Sequence, residues 1–391
     1  MGAIPLTLRS LVRLGRNGAA FSGTLLGGNG RGGAPGQTLS YQFDLPAGLH
    51  DLDLGLSIRN PDTNLEGVLI DPNGQPIDVQ TMVGAVTAVG APNFYTGAMQ
   101  FFHRDPEPGR WLFVLLINDT IGGAATSQVF HAVIGFNQVA VRSLGLPSTP
   151  KTFLPAGKPR DAVIVVRNTG VTTKNFFVDA RLNTMGPVPL QAPYSYSVTL
   201  PITASQQLPV FVVPPAVSEL DLSAQSPTPV GMDVATSNGA GPFGGTGSPE
   251  VYQSSGPLLD PTTGVYSTLI TIKAGEVTPG IWSTSPAEIG PFPNAGAPAS
   301  TVEVRALAYG QPFDRSVTSS TSDIWSPFST EYHPEVISPG HEGIIRVRIT
   351  PRGVPGTVVQ GFLYVDTFDL NSTGGDELLA IPYTYTIGSK K

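Results

Sequence analysis

The sequence contains no cysteine, and this absence removes several kinds of chemistry at once. A chain without cysteine has no disulfide, no thiolate metal site and no cysteine nucleophile. It does not fix the compartment, because exported bacterial proteins without cysteine are common.

Charge is also scarce. Charged residues make up 13% of the 391 residues, about half the usual share, and the net charge is −7 with an isoelectric point near 5.2. This acidic balance disfavours a nucleic-acid partner. No run of 18 apolar residues occurs, so we expect no membrane span.

What the chain does have is glycine and proline, 46 and 38 residues, between many short runs of valine, isoleucine, threonine and aromatic residues. No segment keeps the apolar spacing of an amphipathic helix for three turns. Strict alternation predicts instead a strand with one dry and one wet face, with Leu52, Leu54, Leu56 and Ile58 pointing one way and Asp51, Asp53, Ser57 and Arg59 the other. These patterns predict an all-β chain of tandem β-sandwiches.

The chain repeats itself. The segment that begins at Phe43 returns at Phe211, and the Pro-Gly turn before Trp111 returns before Trp282, about 170 residues later, a period far longer than that of a solenoid. The apolar run 163–166 likewise corresponds to 344–347.

We therefore predict a duplicated A-B-A′-B′ arrangement in which jelly-roll-like and immunoglobulin/fibronectin-like sandwiches alternate. The predicted boundaries are an extended lead-in 1–20, A at 21–146, B at 147–208, A′ at 209–313 and B′ at 314–391. A duplicated scaffold favours a supporting or binding role over catalysis.

Catalytic motifs are missing. The chain has no Gly-x-Ser-x-Gly nucleophile elbow, and none of its histidines stands in a motif for a base or a zinc ligand, namely His50, His103, His131, His333 and His341. We predict that the chain is not an enzyme.

One acidic segment is a candidate calcium site, and we expect no other cofactor. Residues 366–377 are rich in oxygen donors, and those at Asp369, Asn371 and Thr373 precede a glycine, which is typical of calcium loops. The bidentate twelfth-position glutamate of an EF-hand would fall on Ala380, so the motif fails there. The alternative is a solvated hairpin turn. The candidate ligands are Asp366, Asp369, Asn371, Asp376 and Glu377.

The three tryptophans could serve the core or a ligand. Trp111 and Trp282 hold the same place in the two A units, which favours a core role for both, whereas Trp325 lies in a loop-like setting and is the aromatic we expect to be exposed.

Four segments of the chain carry a resemblance to a known family: residues 108–114 around Trp111, 318–325, 355–366 and 375–386. They resemble the C-terminal accessory region of large secreted subtilisin-like serine peptidases of high-GC Gram-positive bacteria. The resemblance covers most of the chain and is strongest over 275–387. The catalytic motifs of the peptidase are absent, so the resemblance implies no catalytic residue here.

The resemblance implies a non-catalytic β-sandwich accessory region, secreted or at the cell surface, that stabilises, spaces or targets a peptidase. Two alternatives stay open: an independent cell-surface or filament-forming structural protein, and an array of carbohydrate-binding modules. The corresponding partners are a peptidase domain, identical subunits or a cell-surface glycan.

Overall fold

The structure, a computed structural model, describes residues 10–16, 18–26, 37–58, 63–81, 83–84, 94–95, 98–120, 127–190, 194–202, 209–236, 250–253, 257–273, 277, 279–288, 299–321, 325, 331–369 and 374–389. These residues form 30 strands and no helix, so the predicted all-β class is confirmed. With no helix in the described ranges, there is none long and apolar enough to cross a membrane.

The first sandwich packs a five-stranded sheet, β1-β3-β10-β5-β6, on a four-stranded sheet, β2-β11-β4-β9, beside the short pair β7-β8. Its core is the cluster of buried side chains that the two sheets enclose. Its strands are β1 (Ser10–Leu11), β2 (Ala19–Leu26), β3 (Thr38–Leu45), β4 (Asp51–Ile58), β5 (Thr63–Ile70), β6 (Pro76–Thr81), β7 (Val83–Gly84), β8 (Phe94–Tyr95), β9 (Ala98–Arg104), β10 (Gly109–Thr120) and β11 (Ser127–Phe136).

A second sandwich begins next and is then interrupted. Its opening strands are β12 (Val139–Leu144), β13 (Ser148–Pro155), β14 (Arg160–Asn168) and β15 (Lys174–Leu182).

The interruption is a complete sandwich, which we call the inserted sandwich. One sheet has the order β16-β25-β19-β23-β22, with β17 also pairing β25, and the other is β18-β24-β20-β21. Its strands are β16 (Gly186–Val188), β17 (Ser195–Leu200), β18 (Val210–Val213), β19 (Val217–Ser226), β20 (Val230–Thr236), β21 (Glu250–Gln253), β22 (Leu258–Asp260), β23 (Val265–Ile272), β24 (Gly280–Glu288) and β25 (Ser300–Gly310).

The end of the chain returns to complete the interrupted unit, which we call the composite sandwich. Its sheets are β12-β14-β28-β26 and β13-β30-β29-β15-β27, so strands from the two chain segments alternate in both. The returning strands are β26 (Val317–Ser319), β27 (Glu335–Ile337), β28 (Glu342–Ile349), β29 (Val358–Asp369) and β30 (Gly374–Gly388).

This topology differs from the predicted boundaries. The segments 147–208 and 314–391 do not fold as separate sandwiches: β14 pairs with β28, β15 with β29 and β13 with β30. The physical reason is burial, because the two segments enclose one shared core. The predicted lead-in also contributes β1, which pairs with β3, and the inserted sandwich starts at β16 rather than at residue 209.

The duplication itself is visible in the strand register. Trp111 lies opposite Phe43 in the first sandwich, and Trp282 lies opposite Phe211 in the inserted one. Both tryptophans are fully buried, as predicted. The preceding glycines, Gly109 and Gly280, both have positive φ, a conformation that favours glycine.

Trp325 is not exposed, contrary to the prediction. Its side chain is 2% exposed and packs edge-on against Phe177 and Phe368, with ring centroids 5.0 and 6.1 Å away. These rings belong to the composite sandwich but join the core cluster of the inserted one. The loop-like sequence did not indicate burial here because the covering rings come from β15 and β29, which are distant from Trp325 in the chain.

Candidate functional site at the junction of the first and composite sandwiches

The outer face of β4 is where the structure departs most from the predicted wet surface. Asp51 and Asp53 point away from the leucine core of the first sandwich, as the alternation predicts, yet they are 0% and 6% exposed. They are buried because the composite sandwich covers this end of the sheet. Two clusters of charged side chains and a cleft lie at this junction.

The first cluster contains a fully buried arginine. The Arg181 guanidinium donates from Nη2 to Asp179 Oδ2 at 2.9 Å and from Nη1 to the Pro215 carbonyl at 2.7 Å. Its carbon lies 4.4 Å from the centre of the Phe313 ring, a cation–π distance. Arg181 thus ties a strand of the composite sandwich to residues next to the inserted one.

Glu377 links this arginine to the first sandwich. Its Oε2 accepts from Arg104 Nη1 on β9 at 3.0 Å, and its Oε1 lies 3.7 Å from Arg181 Nη2. Glu377 is 2% exposed and lies opposite Asp366 in the β29–β30 register.

The charges in this cluster stabilise one another. Burial by itself would lower the pKa of Arg181, but the neighbouring charges of Asp179 and Glu377 outweigh it and hold that pKa above the usual arginine range. Arg181 therefore stays cationic inside the protein, where it compensates buried carboxylates.

The second cluster lies further along the same face. Lys174 at the start of β15 donates its Nζ to Asp53 Oδ2, and Gln100 Nε2 donates to Asp53 Oδ1 at 3.1 Å. Asp51 accepts from the backbone N–H of Gln138 at 3.0 Å. Burial raises the pKa of Asp51 to about 6, against the lowering effect of that hydrogen bond.

Beside the Lys174–Asp53 pair a cleft of about 420 Å³ opens between the two sandwiches. Its floor is the outer face of β4, β9 and β11, and its walls are the turn between β14 and β15 and the end of β29. The polar side chains that line it include Ser57, Gln100, His131, Thr172, Thr173 and Asn175.

The structure describes the side chains of two of the five predicted calcium ligands. Asp366 and Glu377 are buried in paired strands rather than in a solvated turn, and Glu377 is bound by arginines. Asn371 and the side chains of Asp369 and Asp376 lie outside the described residues. Calcium at this segment stays a prediction, and the described residues contain no other group of acidic or histidine side chains suited to a metal.

The junction residues were not recognised in the sequence. Arg104, Lys174 and Arg181 are dispersed along the chain and meet only through strand pairing. One signal was available: Asp179 and Arg181 alternate directly after the apolar run 176–178 of β15, a pattern compatible with a buried ion pair. His131, which no sequence motif marked, lies exposed at the cleft.

Over the residues that the structure describes, the chain is therefore an all-β protein of packed β-sandwiches with a polar interdomain junction. No protein-family model matches it, and no curated protein matches it.

Several solved structures are similar to parts of it. Tripeptidyl peptidase 2 aligns at 11% identity over 98% of this chain and 31% of its own length, with a TM-score of 0.29, so the chain spans about a third of that protein. The pre-peptidase C-terminal domain of collagenase from Bacillus anthracis aligns at 14% identity over 33% of this chain and 99% of its own, with a TM-score of 0.22. CorA, a surface-associated copper-binding protein of Methylomicrobium album BG8, aligns at 14% identity over 32% of this chain and 98% of its own, with a TM-score of 0.24. None of these values assigns the chain to a family.

Proposed function

We propose that this chain is a non-catalytic accessory region of an exported protein, a rigid β-sandwich unit that stabilises, spaces or directs a subtilisin-like serine peptidase. The sequence resemblance of residues 275–387 supports the peptidase link. The fold by itself does not decide between an accessory and a catalytic role, so the proposal depends on the resemblance and on how the sandwiches are joined.

The observation that carries the proposal is the composite sandwich. Its central pairs, β14–β28 and β15–β29, join the two halves of the chain, so the inserted sandwich is attached through both of its ends. Sandwiches joined by single linkers are free to move relative to each other unless a large interface holds them. Here the chain path and the shared aromatic cluster around Trp325 favour a fixed arrangement.

The first sandwich is held by charged contacts. Arg104 and Asp53 belong to its outer sheet face, and their partners Glu377 and Lys174 belong to the composite sandwich. Contacts of this kind favour a fixed orientation between the sandwiches, which would hold an attached domain at a defined position.

Two measurements test the proposal. The reading frame around this chain is examined for a peptidase domain, and the inactivation half-life of the whole polypeptide is compared with that of the peptidase alone. We expect a peptidase in the same polypeptide and a longer half-life with the accessory region attached. Two negative results together would contradict the proposal: a reading frame that encodes no peptidase domain, and the failure of this chain to bind any peptidase in the producing cells.

The non-catalytic part is tested on the purified chain with casein and a generic ester substrate. We expect no hydrolysis, because the sequence has no nucleophile elbow. Turnover that a serine-directed reagent abolishes would overturn this part.

A further inference from the structure

The floor of the junction cleft contains a glycine that the fold does not require. Gly55 lies in the middle of β4, where glycine weakens a strand. Its φ is not in the left-handed region, and a Cβ built on it meets no described atom within 4 Å. Neither backbone conformation nor packing accounts for this glycine, and a glycine in a strand often marks close approach of a ligand.

Several floor positions near Gly55 are also small, namely Ser57, Ala98 and Gly135, whereas the residues paired with Gly55 itself are Gln100 and Val133. The short side chains leave room above β4, and Gln100 and His131 line this space.

The polar groups around this floor carry little uncompensated charge. Asp53 and Lys174 are the charged residues among the described lining, apart from the imidazole of His131, and they bind each other. The other polar side chains are hydroxyls and amides, which both donate and accept hydrogen bonds. Such a lining matches an uncharged ligand that is rich in hydroxyl groups.

A peptide strand is disfavoured as the occupant. Strand β9 is the edge strand of this sheet, but β4, which carries Gly55, and β11 each pair with a neighbour on both sides. A peptide lying over Gly55 therefore finds no free backbone edge beneath it. Recognition must come from side chains above the sheet.

We infer that the cleft is a binding site for a neutral saccharide, held by hydrogen bonds from its walls over the Gly55 floor. Its volume lies within the range of small-molecule sites. Tryptophan stacking is not part of this recognition, because Trp111, Trp282 and Trp325 are all buried. The inference does not depend on a peptidase partner and adds a glycan-directed role to the chain.

The test is calorimetric titration of the purified chain with cellohexaose, xylohexaose and chitohexaose, and with hexagalacturonate as the charged counterpart. We expect saturable binding of at least one neutral probe and none of hexagalacturonate. Absence of binding by all three neutral probes, or tighter binding of the charged one, overturns the inference.

The variant Gly55→Gln places a side chain into the cleft without a described contact to displace. We expect it to weaken binding by about tenfold or more and to melt no lower than the wild type. Ser223→Gln is the matched control, because Ser223 points outward from the central strand β19 of the inserted sandwich, and its binding should equal that of the wild type.

A second variant, Thr172→Ala with Thr173→Ala, removes wall hydroxyls without altering a strand and should also weaken binding. If binding survives unchanged in both cleft variants, the saccharide binds elsewhere and the cleft assignment fails.

Discussion

The variant Arg181→Met tests whether the buried ion cluster holds the sandwiches together. Methionine fills much of the space of the arginine stem but carries no charge. The substitution leaves Asp179, which is 1% exposed, without its cation, while Glu377 keeps its ion pair with Arg104. Removal of one partner from a buried ion pair costs about 3–5 kcal/mol because the remaining charge stays buried and uncompensated.

The sign of the pH dependence follows from the same geometry. In the variant, a charged Asp179 is buried without a cation, and protonation removes that charge. The cost of the missing cation is therefore largest at high pH and is relieved as the pH falls. The stability deficit of Arg181→Met should therefore be smaller at pH 5 than at pH 8.

The assay is chemical denaturation at both pH values, with Arg110→Met as the matched control. Arg110 forms a bidentate ion pair with Asp44, with Nε–Oδ1 and Nη2–Oδ2 distances of 2.8 and 2.9 Å, but this pair is exposed. Surface pairs contribute little, so the control should unfold like the wild type. If Arg181→Met unfolds like Arg110→Met, the cluster does not stabilise the junction and the reasoning is refuted.

Three further predictions concern the core, the junction carboxyl and calcium. Trp111→Ala and Trp282→Ala should each lower the free energy of unfolding by about 3–5 kcal/mol, measured by urea denaturation, since both rings are fully buried in equivalent places; wild-type stability in both would contradict their structural equivalence. Burial raises the pKa of Asp51 to about 6, so ionisation of this carboxyl should cost the wild type on the order of 2–3 kcal/mol of stability as the pH rises from about 4 to 6. The variant Asp51→Asn should lack this loss when the free energy of unfolding is measured across that range. Parallel profiles of stability against pH for the variant and the wild type would rule this out. Millimolar calcium should raise the melting temperature relative to excess chelator if the predicted site near Glu377 is real, and identical melting curves would exclude it.

The strand faces and the tight turns of this protein could be predicted from its sequence. Alternation along β4 separates Leu52 from Asp51, and the Pro-Gly turns place Trp111 and Trp282 at the start of core strands. These features depend on neighbours within a few residues, because the two-residue period of a strand decides which face each side chain occupies and glycine allows the tight turn. They were enough to predict the all-β class and the equivalence of the two tryptophans.

The tertiary structure alone decided which surfaces meet. The period-2 pattern places Asp53 on the outer face of β4, but it does not reveal that Lys174, far along the chain, covers it. The repeats at 163–166 and 344–347 predicted two separate sandwiches. In the structure the two copies pair with each other as β14 and β28, because together they bury one shared core. Glu377 and Trp325 are buried for a related reason: their partners Arg104 and Phe177 are distant in the chain, and such contacts cannot be deduced from the spacing of nearby residues.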